Sequence, residues 1–176
     1  MTEDGGPIGV TSDRRRFIAG GAIVAAVAAT AAVGVAFPDP AGAAIVAARF
    51  YLLPTPIRVY DTRPGQPPLG ILPKTQLVGS RNGIDLTANG SGVPASGVLG
   101  AVVSLTVTNT SAVPGSFLSI FKNGIVFPGT SNVNWFVQNQ TTAVTTVTAV
   151  DATSKVALFA SSATDLIIDV LGYYAP

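Results

Sequence analysis

In the stretch Val102-Val103-Ser104-Leu105-Thr106-Val107-Thr108, apolar and hydroxyl-bearing side chains alternate from Val103 onward. Successive side chains of a β-strand point to opposite faces, so Val103, Leu105 and Val107 share one face of such a strand. The serine and threonines share the other face. This alternation predicts a strand of an antiparallel sheet that is buried on one side and solvated on the other.

Beyond residue 56, further short stretches of the chain also have the sequence pattern of β-strands. Turn signals separate the pieces, and Asn123-Gly124 in particular predicts a type I′ hairpin that leads into a strand at 125–127. About nine short strands joined by such turns, with no helix among them, predict an all-β fold, namely an antiparallel β-sandwich or jelly roll over residues 57–176. The other predicted strands cover residues 57–62, 76–78, 83–86, 116–121, 133–137, 141–150, 155–159 and 165–174.

The first 43 residues have the features of an export signal. The run Arg14-Arg15-Arg16-Phe17-Ile18 matches the twin-arginine pattern, and the apolar segment that follows to Phe37 predicts a signal helix. Small side chains at 41–43 predict cleavage after Ala43. The implied partners are the twin-arginine export machinery and a signal peptidase, and the predicted location is secreted or envelope-associated. An uncleaved segment of this length would instead anchor the chain in a membrane.

The charge balance restricts the classes of partner. Removal of residues 1–43 from the 176-residue chain leaves 133 residues, which is the usual size of one domain. These residues carry seven basic and five acidic side chains, with no basic run, so nucleic acid is not a predicted partner. The chain contains no cysteine and no histidine, which excludes disulfides and imidazole chemistry. No cofactor is predicted.

Residues 44–56 form an apolar lead-in to the predicted sandwich. Pro54-Thr55-Pro56 ends this segment and predicts an interruption of any strand there, because proline cannot donate to a ladder. The segment is either a first strand or an arm that packs on a neighbouring molecule.

Four motifs together carry a family resemblance. Taken in order, they resemble a β-rich domain of secreted actinobacterial proteins, which bears an Arg-x-x-Asp-Thr-Arg element and closes on Asp-Val-x-Gly-Tyr-Phe. The likeness covers about residues 54–174 and implies an accessory or surface module of the cell envelope, since that domain occurs in tandem or beside cell-wall hydrolases. Ser104-Leu105-Thr106 departs from the Asn-Val-Thr that such domains often show. The motifs are Arg58-Val59-Tyr60-Asp61-Thr62-Arg63, Gly92-Val93-Pro94-Ala95, Ser131-Asn132-Val133-Asn134-Trp135 and Asp169-Val170-Leu171-Gly172-Tyr173-Tyr174.

Most of the charge in this region belongs to the first and last motifs. Asp169 lies in an otherwise apolar strand, where a carboxylate is costly unless it is paired, and an arginine can chelate it with two hydrogen bonds. We therefore predict a structural ion-pair network of Arg58, Asp61, Arg63, Asp165 and Asp169. Two alternatives stay open, a calcium site built on the aspartates and an acid–base pair of aspartates that acts on a glycoside.

The aromatic side chains are the other candidates for recognition. Trp135, Tyr173 and Tyr174 are predicted ligand or partner contacts, against the alternative that they fill the core. Because neighbouring side chains on a strand face opposite ways, one of the two tyrosines should point inward and the other outward.

Three functions are compatible with these features. The first is a non-catalytic envelope module that binds a surface polysaccharide or serves as an accessory surface protein. The second is a subunit that self-associates into a homo-oligomeric surface assembly. The third is a small secreted glycan hydrolase that uses its aspartates. The missing histidine and the predicted network favour the non-enzymatic readings.

Overall fold

The last strand of this chain organises the whole β-structure. The computed structural model describes residues 47–71 and 73–176, so the predicted signal residues Arg14, Arg15 and Phe17 and the predicted cleavage site at Ala43 lie outside the described residues. No helix in the described part is long and apolar enough to cross a membrane. All strand pairs there are antiparallel, which confirms the predicted all-β class. The strands are β1 (Arg49–Asp61), β2 (Leu77–Asp85), β3 (Gly100–Thr108), β4 (Ser116–Lys122), β5 (Val133–Trp135), β6 (Thr142–Ala149) and β7 (Lys155–Ala175).

Strand β7 is one continuous element where the sequence predicted two. Residues 160–164 join the predicted strands 155–159 and 165–174, because they contain no glycine or proline that would interrupt the ladder. The second half of β7 pairs with β1 and β3, and β6 extends this group, which we name layer A. The first half pairs with β2 and β4, and β5 extends this group, which we name layer B. One strand therefore belongs to both groups, and the seven strands of the described residues form one continuous sheet.

The core draws on both layers. Val103, Leu105 and Val107 have no exposed surface, whereas the residues between them are partly exposed, so the alternation that predicted β3 is confirmed. From layer B, Leu118 and Leu158 are equally buried and belong to the same cluster. Full burial of one such side chain stabilises the fold by about 1.5–3 kcal/mol, so this shared cluster is the main force that holds the layers together.

Residues 49–56 of the lead-in segment form the first part of β1, which pairs with β7 of its own chain. Phe50 lies opposite Tyr174, and Leu52 lies opposite Gly172. Pro54 and Pro56 do not end the strand, but the register shifts between Leu52 and Ile57. Within the described residues β1 pairs only with β7, and a strand with one free edge tolerates the missing proline N–H groups.

The predicted strand at 125–127 is wrong. These residues lie in a loop, in which the Phe127 ring stacks on Phe159 of layer B with centroids 4.3 Å apart. Phe117 and Phe121 also contact the Phe127 ring. Contact with this aromatic cluster on the outer face of layer B replaces the ladder hydrogen bonds that a hairpin would have formed.

Asn132 connects the two layers where β4 and β6 approach each other. Its backbone N–H donates to the Leu118 carbonyl at 2.8 Å. Its side-chain oxygen accepts from the Ile120 N–H at 2.9 Å, and its amide nitrogen donates to the Thr146 hydroxyl at 3.1 Å. The Asn132 side chain, which immediately precedes β5, thus satisfies one polar group of β4 and one of β6.

Replacement of Gly172 by alanine should destabilise the protein. A Cβ at this position would lie 2.6 Å from two ring carbons of Phe50 and from the Tyr51 carbonyl oxygen. Because one of these contacts is backbone, the β1–β7 pair must separate locally, and we expect a loss of about 1–3 kcal/mol in the free energy of unfolding. Denaturant unfolding of Gly172→Ala measures this loss. The matched control is Gly70→Ala, where a Cβ meets nothing within 4 Å; equal stability of the two variants would contradict the packing described.

Candidate functional site

The pairing of β1 with β7 places Arg58 directly opposite Asp169. The Arg58 Nε donates to Asp169 Oδ1 at 2.8 Å, and Nη2 donates to Oδ2 at 3.2 Å. The hydrogen bond with Asp169 raises the pKa of Arg58, although partial burial acts against it. Side-chain exposure is 37% for Arg58 and 22% for Asp169, so this ion pair is open to solvent. The bidentate arginine contact predicted for Asp169 is therefore present, and its partner is Arg58.

Asp61 is the buried member of the same network, with no exposed side-chain surface. It accepts from Arg63 Nη2 at 2.7 Å, from Arg63 Nε at 3.0 Å and from the Arg63 backbone N–H at 3.0 Å. Arg58 Nη1 lies 3.5 Å from its Oδ2. Burial acts to raise the pKa of Asp61, but the hydrogen bonds from Arg63 and the two guanidinium charges outweigh it, so the pKa is lowered. Arg58 thus links Asp61 to Asp169.

Asp165 does not join these ion pairs, contrary to the prediction. Thr62 Oγ1 donates to its Oδ1 at 2.7 Å, and Asn109 Nδ2 donates to its Oδ2 at 2.7 Å. Across residues 47–71 and 73–176, no Arg or Lys nitrogen forms an ion pair with Asp165. The sequence analysis missed Thr62 and Asn109 as partners. Asn109 follows the end of β3 with a φ of 49°, a left-handed conformation that asparagine tolerates better than most residues.

Two further basic side chains donate hydrogen bonds to the part of β1 that carries the network. Lys74 Nζ donates to the Asp61 carbonyl at 2.7 Å and to the Gln66 carbonyl at 2.9 Å. Arg81 Nη1 donates to the hydroxyl of the buried Tyr60 at 2.8 Å. The Lys74 bonds attach the loop after β1 to the strand that carries Arg58 and Asp61, and the Arg81 bond attaches β2 to the same strand. Sequence spacing did not reveal them, because they join residues 13 and 21 positions apart across a loop.

Trp135 is not a surface contact, and its prediction as one is wrong. The side chain is fully buried in the shared core, and its indole Nε1 has no hydrogen-bond partner within the part of the chain that the structure describes. The strand β5 that carries it is three residues long and buries its first and last side chains. Burial of this large apolar ring stabilises the core, and a fully buried side chain has no surface with which to contact a ligand.

The two tyrosines differ in what they contact. Tyr173 packs against the core cluster and stacks on Tyr51, with ring centroids 5.1 Å apart and an interplanar angle of 14°. Tyr174 lies 5.1 Å from Phe50 at an angle of 43°. Directly opposed residues share a face of a sheet, so Phe50 and Tyr174 form an aromatic pair on one face of layer A.

The aromatic pair and the open ion pair lie on the same face of layer A. Tyr174 is opposite Gly100 of β3, and Asp169 is opposite Ser104. Gly100 and Ser104 are an even number of residues apart and therefore share a face, the one opposite the buried Val103 and Leu105. At about 3.3 Å per residue, the two features are roughly 13 Å apart along β3. We call this surface the outer face of layer A.

The chemistry available on this face is recognition by hydrogen bonding and stacking. Both oxygens of Asp61 and both oxygens of Asp169 already accept hydrogen bonds from arginines. In the described residues, no group of three or more His, Cys, Asp or Glu side chains is placed to hold a metal ion. Arginine N–H groups that are not used within the network, and the partly exposed Asp169, remain available to polar ligand groups.

Comparisons with models of known protein families, with curated protein sequences and with solved structures find no match to this chain.

Neutralisation of the buried carboxylate should cost more stability than neutralisation of the open one. In Asp61→Asn an uncharged amide would face Arg63 and Arg58 at a site with no exposed side-chain surface, and we expect a loss of about 3 kcal/mol. Asp169→Asn breaks a solvent-screened pair and should cost about 1 kcal/mol or less. Chemical denaturation of both variants measures the difference. An equal loss in the two variants would show that burial of Asp61 does not set the strength of the network.

Stability should fall in acid. The pKa of Asp61 is below the ordinary value of 3.8, and so is that of Asp151, where hydrogen bonds from Asn123, Lys155 and Thr153 outweigh the effect of burial. A carboxyl with a lowered pKa in the folded state stabilises the fold above its unfolded pKa and loses this contribution as the pH falls through its folded pKa. The free energy of unfolding should therefore decrease as the pH falls below about 4. Thermal melts against pH should show a shallower acid slope for Asp61→Asn/Asp151→Asn than for the unaltered protein; an unchanged slope would contradict this assignment.

Proposed function

We propose that this chain is a non-catalytic secreted module of the cell envelope that binds a surface polysaccharide. The observation that carries the proposal is the outer face of layer A, where an aromatic pair and a partly exposed arginine–aspartate pair share one sheet surface. Aromatic rings and paired polar groups are the elements with which protein surfaces recognise ligands that are polar at their edges and apolar on their faces.

The state of the aspartates favours binding over hydrolysis. A glycosidase needs one carboxyl group that stays protonated as the general acid and a second that is free to act as base or nucleophile. The pKa of Asp61 is lowered instead, and its oxygens are held by Arg63. Asp165 accepts from Thr62 and Asn109, and Asp169 is held by Arg58. Because the oxygens of Asp61, Asp165 and Asp169 already accept these hydrogen bonds, the contacts also disfavour a calcium site on this set.

The architecture supports the same proposal. Layers A and B share β7 and a common core, and Asn132 connects them at β4 and β6, so we infer a two-layered sandwich of the kind that the family resemblance implies. The segment 49–52, which was a candidate arm for a neighbouring molecule, pairs with β7 of its own chain. Because this segment is occupied within its own sheet, we propose the binding module first and the self-associating subunit as the second candidate. The twin-arginine pattern at 14–18 supports export as its route to the envelope.

A cell-wall binding experiment tests the proposal. The protein recovered from the culture medium is incubated with purified actinobacterial cell walls and with the same walls after chemical removal of their polysaccharide. We expect co-sedimentation with the intact walls only, a monomeric mass by light scattering, and no release of reducing sugar. Absence of binding to intact walls would overturn the binding function, and sugar release that disappears in Asp61→Asn would favour the hydrolase.

A further inference from the structure

We infer that the outer face of layer A is an extended site for a neutral polysaccharide, with Phe50 as the stacking surface and the Arg58–Asp169 pair as the reader of ring hydroxyls. This inference rests on the proposed function and adds the place and the chemical class of the ligand. The site would run along the β1–β7 pair from the aromatic pair to the ion pair, with β3 beside it.

The position of Phe50 suits it to stacking. Two of its ring carbons come within 2.6 Å of the point where a Gly172 Cβ would lie, so the ring packs directly over the glycine backbone. The residue is still 44% exposed, which leaves ring surface open to solvent. The face of a phenyl ring carries partial negative charge and attracts the weakly positive C–H groups that line the face of a sugar ring. A side chain at 172 would displace this platform.

The charges of the network favour a neutral ligand. Within the ion pairs, the two arginines Arg58 and Arg63 are balanced by Asp61 and Asp169, so the paired groups offer donors and acceptors without an excess of either charge. A polyanion that approached Arg58 would also approach the partly exposed Asp169 and be repelled. A sugar hydroxyl, in contrast, can donate to the carboxylate and accept from a guanidinium N–H in the same place.

The surface between the two ends is apolar. Val102 of β3 lies on this face, and Val147 of β6, which lies opposite Val102, is 60% exposed. Hydroxyl groups lie at the ion-pair end, where Thr145 of β6 is opposite Ser104 and Thr106 follows on the same face of β3. Val102 lies opposite Gly172, which gives a low floor beside Phe50. With the aromatic pair and the ion pair about 13 Å apart, the site is longer than a single sugar ring and suits a chain of several units.

Affinity measurements on two polysaccharide fractions test the inference. Solubilised cell-wall polysaccharide is separated by anion exchange into a neutral unretained fraction and an acidic retained fraction. Each is titrated against the full chain and three variants, Phe50→Ala, Asp169→Asn and Phe136→Ala. Phe136 is the matched control, because it is 65% exposed and follows β5 of layer B. Thermal melting verifies that each variant is folded.

We expect the neutral fraction to bind at least about tenfold more tightly than the acidic one. Phe50→Ala and Asp169→Asn should each weaken this binding about tenfold, and Phe136→Ala should change it less than about twofold. If Phe50→Ala does not fold, the polysaccharide affinity of Asp169→Asn still tests the site at its ion-pair end. If the protein binds polysaccharide but prefers the acidic fraction, or if the folded variants bind as well as the unaltered protein, this site is wrong and the proposed function stands. If neither fraction binds, both proposals fail.

Discussion

The pairing of β7 on both sides along its length is the constraint on which the rest of the structure depends. Its second half holds β1 and β3, and its first half holds β2 and β4. Its inward side chains, such as Leu158 and Ile168, enter one core together with those of the neighbouring strands. Because one strand fixes the register of both layers, the side chains that alternate away from this core are placed on the outer faces with little freedom.

The charged network follows from that placement. Asp169 interrupts an apolar run in the strand that has a neighbour on each side, so it needs a partner from one of those neighbours. Register supplies Arg58 from β1, which also approaches Asp61, while Arg63 closes on Asp61 from the same chain segment. The result is an electrically balanced group at the boundary between core and solvent. That position explains why the group can stabilise the fold while Arg58 and Asp169 keep part of their surface exposed to solvent.

Much of the fold could be predicted from local pattern. The alternation around Leu105 identified β3 and its buried face, and the cost of an unpaired carboxylate identified the Arg58–Asp169 contact. The failures have a common cause, which is competition from distant parts of the chain. Trp135 is buried in the core that the strands share, and Phe127 is held by Phe159 instead of forming a hairpin strand. Asp165 found neutral partners because Asn109 and Thr62 are brought to it by β3 and β1.

The sequence alone determined the all-β class, the buried face of β3 and the pairing of arginine with aspartate in the terminal motifs, since these depend on side-chain alternation and on the cost of a lone charge. Only the tertiary structure decided that β7 is unbroken and shared by two layers, that Phe50 rests on Gly172, and that the aromatic pair and the ion pair lie on one face. These features depend on register between strands that are more than 50 residues apart in the chain, and local sequence does not encode that register.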